Sequence, residues 1–498
     1  MRAGWVGYTG KIVPYRVLFV TAEYAPLAKT GGLADVSTAL SRFLHARGDD
    51  VRVFIPLYRR IAEQRFERRP VEFLQNLSLT LGAQDYRYSV VTGLAPGSGL
   101  PLYFIDCPAL YDRPDVYTPD ADEHRRFLLL TRAALECTQR MGFAPHLLHC
   151  NDWHTAFGPL FLRTLYAWDR LFSATRSILT IHNVGYQGVF PAADVGALAL
   201  GAALGLLHQQ DLAAGRINSL LHGILHADLI TTVSPTYARE ICTPEYGAGL
   251  DGFLRVRGDQ VVGILNGVDY DEWNPETDSH LPFHYSRSNL AGKARLKRAL
   301  LKRLRLEARP GMPLVGLVSR LVAQKGIELL LPVLPDLLAA RAINVVALGT
   351  GEPRLEEALA ALERAFPARI VFHRGYSEEL AHWIEAASDA FVMPSRYEPC
   401  GLNQMYSLRY GAVPIVRRTG GLADSVTPYS PSTGNGTGIV FEHYDTSALR
   451  WALDTAIALF AHKRHWRRLV ANGMAEDFSW QRQGMLYIDQ YRRLAGPD

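Results

Sequence analysis

The stretch RVLFVTAEYAPLAKTGGLADVSTALSRFLHARG, at residues 16–48, joins an apolar run to a segment with helical spacing. Five of the seven residues at 16–22 are apolar, which is typical of a buried strand. From residue 33 onward, apolar side chains recur every three or four positions until Gly48, and this spacing favours a helix that ends at a glycine. The stretch therefore predicts a strand, a glycine-rich loop and a helix, as in a parallel α/β fold.

The loop between that strand and that helix has the composition of an anion site. Gly31 and Gly32 let the backbone approach a ligand closely, the helix N-terminus favours negative charge, and Lys29 adds a positive charge. The loop suits a phosphate or diphosphate, although a glycine-rich turn beside a solvated lysine is the commoner explanation for such a motif on its own. It has neither the G-x-G-x-x-G nor the P-loop spacing, so it does not support NAD binding or NTP hydrolysis.

Short apolar runs alternate with helix-like segments along the whole chain, which is the pattern of parallel βαβ units. Strand candidates in the first half cover residues 16–22, 51–56, 102–106, 147–152, 177–182 and 229–234. Those in the second half cover residues 314–320, 344–350, 370–376, 390–395 and 413–418. We expect an α/β protein with two doubly wound sheets, whose ligands bind beyond the carboxyl ends of the strands.

A segment near residues 265–285 is rich in Asn, Asp and Pro and has poor helical periodicity, so we expect a domain boundary there. The predicted organisation is a disordered extension at 1–14, a Rossmann-like domain at 15–265 and a second one at 266–478. Residues 479–498 have helical spacing and form a final helix.

Composition excludes several classes of function. The chain of 498 residues has 53 Lys and Arg against 49 Asp and Glu, which gives no reason to expect a nucleic acid or an anionic membrane as partner. Its five cysteines include no Cys-x-x-Cys pair, so a reducing compartment fits better than a disulfide framework or a zinc site. No run reaches the roughly 20 apolar residues of a membrane helix. We therefore expect a cytoplasmic protein without a membrane partner.

Further polar residues follow other predicted strands. The string HCNDWHT places Asp152 and Trp153 after one strand, and TIHNVGYQG places His182 and Asn183 after another. Polar and aromatic groups on one rim suit a sugar, which has hydroxyl groups at its edge and C–H groups on its face. Taken singly, each residue is more often a satisfied core histidine or a turn-forming asparagine.

Charged residues follow the strands of the second half as well. Arg320 and Lys325 flank a strand-to-helix turn, where two cations can clamp a diphosphate and stabilise it as a leaving group. Glu398 lies in a loop bounded by Pro and Gly, where a carboxylate can hold sugar hydroxyls. The two Asp-x-Asp strings, at 120–122 and 269–271, are compatible with a metal-dependent transferase of another fold, but both lie in turn-like sequence.

The hexapeptide TGGLAD occurs twice, at residues 30–35 and again at 419–424 behind Arg418. We interpret the second copy as another strand-to-helix loop, in the C-terminal domain, that borders the same ligand site. The sequence leaves open whether Gly420 and Gly421 contact a ligand or only allow the turn.

The chain resembles bacterial glycogen synthases and plant starch synthases in seven strings, AEYAPLAKTGGLADV, HCNDWHT, IHNVGYQG, GILNGVDYDEWNPETD, GLVSRLVAQKG, PSRYEPCGLNQMY and RTGGLADSV. The resemblance implies the GT-B fold, with two Rossmann-like domains facing a deep cleft and a final helix that crosses back. It also implies transfer of glucose from ADP-glucose to the non-reducing end of an α-1,4-glucan, with retention of configuration, release of ADP and no metal or other cofactor.

The same resemblance implies roles for the matching residues. The catalytic residues would be Glu398, His182, Arg320 and Lys325. The donor-binding residues would be Lys29, Gly31, Gly32, Asp35, Tyr376, Cys400, Gly401 and Leu402. The residues that bind the acceptor or the sugar would be Glu23, Asp152, Trp153, Asn183 and Asn266.

Two positions depart from related patterns. Many retaining transferases carry a second glutamate where this chain has Tyr406, but the starch and glycogen synthase group also lacks it. That group usually has Thr where this chain has Asn403, which still donates a hydrogen bond but leaves the donor geometry open.

Three alternatives compete with this interpretation. A related transferase could use UDP-glucose or another acceptor. An inactive glucan-binding relative would have lost charged site residues, yet Lys29, His182, Arg320, Lys325 and Glu398 are all present. A Rossmann oxidoreductase or epimerase would need a dinucleotide fingerprint. Sequence alone does not define the oligomeric state or the regulation.

Overall fold

The computed structural model describes residues 14–340 and 343–496. Apart from Pro14, the predicted extension at 1–14 lies outside them. The strands are β1 (Arg16–Val20), β2 (Asp50–Pro56), β3 (Arg69–Pro70), β4 (Leu77–Leu81), β5 (Gln84–Leu94), β6 (Pro101–Asp106), β7 (Leu147–Asn151), β8 (Arg176–Ile181), β9 (Val189–Pro191), β10 (Arg216–Asn218), β11 (Leu229–Thr232), β12 (Val261–Gly263), β13 (Leu314–Val318), β14 (Asn344–Gly349), β15 (Ile370–Arg374), β16 (Ala390–Met393), β17 (Val413–Arg417) and β18 (Ile439–Phe441).

Helices separate most of these strands, as expected for βαβ units. They are α1 (Gly32–Arg47), α2 (Arg59–Ala62), α3 (Pro108–Tyr111), α4 (Glu123–Arg140), α5 (Asp152–Thr155), α6 (Gly158–Arg163), α7 (Gln209–Ala213), α8 (Ser219–His226), α9 (Pro235–Glu240), α10 (Asp251–Arg257), α11 (Ala291–Arg303), α12 (Ile327–Ala340), α13 (Pro353–Ala365), α14 (Glu378–Ala387), α15 (Asn403–Arg409), α16 (Gly420–Ser425), α17 (Thr446–Ala461), α18 (Lys463–Gly473) and α19 (Trp480–Ala495).

The described residues fall into two units. The first takes in those of Met1–Thr231, Gly252–Val261 and Gly484–Asp498, and the second those of Thr232–Asp251 and Val262–Gln483. Thr232–Asp251 therefore groups with the second unit, whereas the sequence placed it in the N-terminal domain. Most of α19 groups with the first unit.

The main sheet of the first unit has the strand order β11-β8-β7-β1-β2-β6-β5-β3, with β4 paired to β5. Four neighbouring pairs of this sheet are parallel, namely β8–β7, β7–β1, β1–β2 and β2–β6. Because β8, β7 and β1 are adjacent, the loops that follow them begin at one edge of the sheet. This edge carries the predicted polar residues of the first half.

Antiparallel strands extend this sheet, and the sequence analysis did not predict them. Strand β5 is antiparallel to β3, β4 and β6. The turn between β4 and β5 contains Gly82 at a φ of 65°, a conformation that glycine adopts without steric cost. The first sheet is therefore mixed.

The second unit contains a sheet of six strands in the order β15-β14-β13-β16-β17-β18. Every neighbouring pair in it is parallel. Its strands are rich in buried Val, Ile, Leu and Ala, as expected for a parallel sheet covered on both faces. The chain order reverses at β13 and β16, and open α/β sheets bind their ligands at such a switch point. Strand β18 was not predicted.

Candidate functional site

The first TGGLAD copy forms the predicted loop and helix start. Gly31 is the N-cap residue of α1, which begins at Gly32. Glu23, only 3% exposed, accepts hydrogen bonds from the Thr30 backbone N–H at 2.7 Å, the Thr30 hydroxyl at 2.6 Å and the Gly31 N–H at 3.2 Å. The Tyr117 hydroxyl donates to the same carboxylate at 2.6 Å. The loop is thus fixed by a buried carboxylate that accepts from two of its N–H groups.

The predicted donor-binding residues of this loop lie close together. Lys29 Nζ and Asp35 Oδ1 form a partly exposed ion pair at 2.7 Å. A Cβ atom added at Gly31 or Gly32 would meet no other atom within 4 Å. The outer side of the loop therefore has room for a ligand, next to a lysine.

Asp152 directly follows β7, and its side chain forms hydrogen bonds with the backbone just after β8. It is 7% exposed, has a left-handed φ of 52°, and its Oδ1 accepts from the backbone N–H groups of His182 at 2.7 Å and Asn183 at 3.4 Å. Burial raises the pKa of Asp152 to about 7, although these two N–H groups lower it. A non-glycine residue at positive φ stores strain and often marks a functional position.

His182 is a buried, neutral imidazole. Burial lowers its pKa to about 3, and its Nε2 lies 3.1 Å from Asn151 Oδ1. Asn183 uses its side-chain oxygen to accept from the Gly185 N–H at 3.0 Å, so this group forms a turn. Trp153 packs against Gly188, where an added Cβ would lie 2.0 Å from the indole ring. The structure thus brings Glu23, Asp152 and His182 to the ends of three adjacent strands.

In the second unit, Lys325 and Glu398 are in direct contact. Lys325 Nζ donates to both oxygens of Glu398, at 2.9 and 2.7 Å, and the Ser395 hydroxyl donates to one of them at 3.0 Å. Glu398 is 4% exposed. Gly326 makes this approach possible, because its φ is 67° and an added Cβ would lie 1.9 Å from the Pro394 carbonyl oxygen.

The other predicted residues of this unit lie in different environments. Arg320 is exposed just after β13, and Tyr376 is 67% exposed after β15. Asn266 is 4% exposed, and its Oδ1 is buried without a hydrogen-bond partner among the described residues. An unpaired buried acceptor is costly, so this oxygen is a candidate ligand contact.

The loop after Glu398 contacts Asn266 and leads into α15. Burial raises the pKa of the Cys400 thiol, although an interaction with the Asn266 backbone lowers it. Gly401 has a φ of 74° and is followed by Leu402, the N-cap residue of α15. Asn403 donates from Nδ2 to the Val318 carbonyl oxygen at 2.7 Å. Asn403, where related synthases usually have Thr, thus links α15 to the end of β13.

The second TGGLAD copy packs its backbone against the Glu398 loop. An added Cβ would lie 1.9 Å from the Glu398 carbonyl oxygen at Gly420, and 2.1 Å from that of Cys400 at Gly421. The Gly421 N–H donates to the Glu398 carbonyl oxygen at 3.0 Å. Both glycines are therefore required by this close approach of two backbones.

One group among the described residues has the composition of a metal site. Glu272, Glu378 and His382 each place one possible ligand atom within 4.8 Å of the others, and Asp278 Oδ2 lies 2.8 Å from His382 Nδ1. None of these residues is a predicted site residue. Of the Asp-x-Asp strings, Asp120 and Asp122 pair with Arg113.

Two supporting residues were missed from the sequence. Ser395 is the last residue of a predicted strand, so its position was a usable signal for its contact with Glu398. Tyr117 contacts Glu23 from a loop 94 positions away in sequence, and no local pattern indicated that contact.

Two Rossmann-like units with charged groups at the carboxyl ends of parallel strands are the arrangement expected of a glycosyltransferase with the GT-B fold. Residues 16–256 match the family "Starch synthase catalytic domain" and residues 302–469 match "Glycosyl transferases group 1". The chain belongs to the glycogen synthase and starch synthase family.

Individual relatives support this assignment. The chain is 44% identical to a glycogen synthase of Thioalkalivibrio sulfidiphilus over 492 residues, which cover 96% of the chain and 99% of the relative. It is 44% identical to a glycogen synthase of Anaeromyxobacter dehalogenans over 485 residues, 96% of the chain and 100% of the relative. The predicted family and the general function of a glycogen or starch synthase are confirmed.

Solved structures agree with the predicted fold. The catalytic domain of starch synthase IV from Arabidopsis thaliana, bound to ADP and acarbose, matches with a TM-score of 0.90 and 35% identity, over 97% of this chain and 100% of that one. A sucrose-phosphate synthase from Thermosynechococcus elongatus matches at 18% identity with a TM-score of 0.60, over 96% and 99% of the two chains, and shows the fold alone. The predicted GT-B class is confirmed.

Proposed function

We propose that this glycosyltransferase uses ADP-glucose as donor and extends an α-1,4-glucan at its non-reducing end with retention of configuration. The observation that carries the proposal is the Lys325–Glu398 pair at the switch point of the second sheet. A cation there suits a diphosphate, and the buried carboxylate suits sugar hydroxyls. The ADP bound to the starch synthase relative supports an adenine nucleotide over UDP-glucose.

The proposed roles follow from the chemistry of each group. Arg320 and Lys325 stabilise the negative charge that develops on the departing diphosphate. Glu398 orients the glucose ring, and the unpaired Asn266 Oδ1 accepts from a sugar hydroxyl. His182, neutral because it is buried, supplies polar contact without a charge.

The residues of the first unit serve the same reaction. Lys29, Gly31, Gly32 and Asp35 bind the donor, and Asp152 holds the backbone of His182 in place. No predicted residue is assigned as a covalent nucleophile. We therefore favour displacement on the face of the leaving group, in which the departing phosphate oxygen takes the proton of the acceptor hydroxyl. No metal is assigned a role.

A direct assay tests this function. Purified protein with glycogen, ADP-glucose and EDTA should release ADP and lengthen the glucan, while a Glu398→Ala variant should not. The same assay with UDP-glucose should give a much lower kcat/KM. Turnover equal to that of the Glu398→Ala variant, or a preference for UDP-glucose, would contradict the proposal.

We propose a cytoplasmic location for the enzyme. No helix in the described part of the chain has both the length and the apolar character to cross a membrane. A glucose donor and a growing glucan are both found inside cells that store glucan, so fractionation of the native source should recover the activity with cytoplasmic marker enzymes. Recovery with the membrane fraction would contradict this.

A further inference from the structure

A short segment of the second unit contacts both loops that surround Glu398. This segment, Ser234–Glu240, comprises the N-cap residue of α9 and the helix itself. The buried Ser234 hydroxyl donates to the Pro399 carbonyl oxygen at 2.6 Å. Thr236 donates from its N–H and its hydroxyl to the two oxygens of Asp424, both at 2.7 Å. The segment thus holds the loop after Glu398 and the second TGGLAD copy.

Glu240, the last residue of α9, holds the start of α16. One of its carboxylate oxygens accepts from the Thr419 hydroxyl and from the Gly420 N–H, each at 3.0 Å, and the other lies 3.1 Å from the same N–H. These are hydrogen bonds to a charged acceptor at a helix N-terminus, which are among the stronger ones in proteins. Glu240 therefore fixes the backbone at the start of the Thr419–Gly421 turn.

The turn also fixes the backbone of Glu398. Gly421 donates its N–H to the Glu398 carbonyl oxygen at 3.0 Å, and Gly420 leaves no room for a Cβ against the same oxygen. A shift of the turn would therefore move the peptide of Glu398 and its carboxylate relative to Lys325. The contacts form a continuous path from Glu240 to Glu398.

The first TGGLAD copy has the same arrangement of a glutamate around its Thr-Gly pair. There Glu23 accepts from the Thr30 hydroxyl and from the N–H groups of Thr30 and Gly31. In both copies, a glutamate from elsewhere in the same unit accepts from the threonine hydroxyl and the first glycine N–H. The repeated Thr-Gly pair thus forms a carboxylate-binding turn in each unit.

We propose that Glu240 is a positioning residue for Glu398 and that it acts through the Thr419–Gly421 turn. This inference rests on the proposed function for the role of Glu398. Loss of the carboxylate frees the turn and lets Glu398 leave the geometry needed for glucose transfer. The effect falls on kcat with ADP-glucose and leaves the KM for the glucan unchanged, because the path ends at the residue proposed to orient the transferred glucose.

Three variants test this path. Glu240→Ala should lower kcat about 10-fold to 100-fold, the scale of a lost charge-assisted contact that orients a catalytic group. Glu240→Gln keeps one acceptor oxygen for the Thr419 hydroxyl and should recover most of the loss. The matched control is Glu245→Ala, which removes a carboxylate from an exposed position five residues after Glu240 and should retain the wild-type kcat. Each kcat is calculated per folded enzyme, with the folded fraction of each variant measured by circular dichroism.

Hydrogen exchange provides a second readout that does not depend on turnover. In Glu240→Ala, the amides of residues 419–421 should exchange at least several-fold faster than in wild type and in Glu245→Ala. Unchanged exchange there, or a wild-type kcat in Glu240→Ala, would overturn the inference. If wild type itself fails to use ADP-glucose, the proposed function is wrong, and faster exchange in Glu240→Ala would still support the path to the Glu398 backbone.

Discussion

Lys325 and Glu398 illustrate how a residue-scale contact combines two predicted roles. Sequence pattern and resemblance named both residues, one for a diphosphate and one for a sugar. The structure pairs them at 2.7 Å, with side chains only 18% and 6% exposed. In such a site, each group fixes the orientation of the other before substrate arrives, which is the kind of preorganisation that lowers a barrier.

Replacing Lys325 with alanine should lower kcat/KM for ADP-glucose by an amount equivalent to about 2–4 kcal/mol of transition-state stabilisation. The reason is the loss of a fixed charge at the leaving group and of the partner that orients Glu398. Steady-state kinetics with glycogen in excess would measure it. An increase confined to the KM for glucan would show that Lys325 serves the acceptor instead.

Asp152 gives a second residue-scale prediction, because burial raises its pKa from 3.8 to about 7. Its folded-state pKa is raised, so its contribution to stability is complete below about pH 4 and is lost as pH rises toward 7. Asp152→Asn keeps an oxygen for the N–H groups of His182 and Asn183 but cannot titrate. The unfolding midpoint of Asp152→Asn, relative to that of wild type, should therefore rise as the pH is raised from 4.5 to 8. Parallel curves for the two proteins would contradict the assignment.

At the scale of elements, the parallel strands were predictable because buried strands are continuous apolar runs with a polar residue just beyond them. The β4–β5 hairpin was missed because its residues alternate and form no continuous apolar run, as in Leu77–Leu81, where Ser78 and Thr80 are exposed and Leu79 and Leu81 are buried. The contacts of Glu240 were not predictable from sequence, since they join residues 180 positions apart.

The two TGGLAD copies allow a matched test of an element. Gly421→Ala would place a Cβ 2.1 Å from the Cys400 carbonyl oxygen, whereas Gly32→Ala, the equivalent change in the first copy, meets nothing within 4 Å. Because the clash is with backbone, Gly421→Ala should lower the free energy of unfolding by about 1–3 kcal/mol. Denaturant titration of both variants measures the difference, and equal stability of the two would show that the Cys400 loop moves freely.

At the scale of the whole molecule, organisation was only partly readable from the sequence. The composition shift near residues 265–285 predicted a boundary there, whereas Thr232–Asp251 groups with the second unit and Gly252–Val261 with the first. Nothing in the local pattern signals such exchanges, because they depend on which distant residues each segment contacts. The final helix α19 is an example: its Tyr491 hydroxyl lies 2.7 Å from Nδ1 of His149, which is 342 positions away in sequence. The other ring nitrogen of His149, Nε2, lies 2.7 Å from the Thr180 hydroxyl.

Buried histidines should give the molecule a defined sensitivity to acid. Burial lowers the pKa values of His149 and His182 from 6.5 to about 3. Since these folded-state values are depressed, their stabilisation is present above about pH 6.5 and is lost as pH falls toward 3, the opposite sign to Asp152. His149→Gln should unfold at a lower temperature than wild type at pH 7.5 but lose less between pH 7.5 and 4.5. A His443→Gln control, at an exposed position, should follow wild type throughout, and an acid dependence in His149→Gln as steep as that of wild type would show that His149 does not contribute to it.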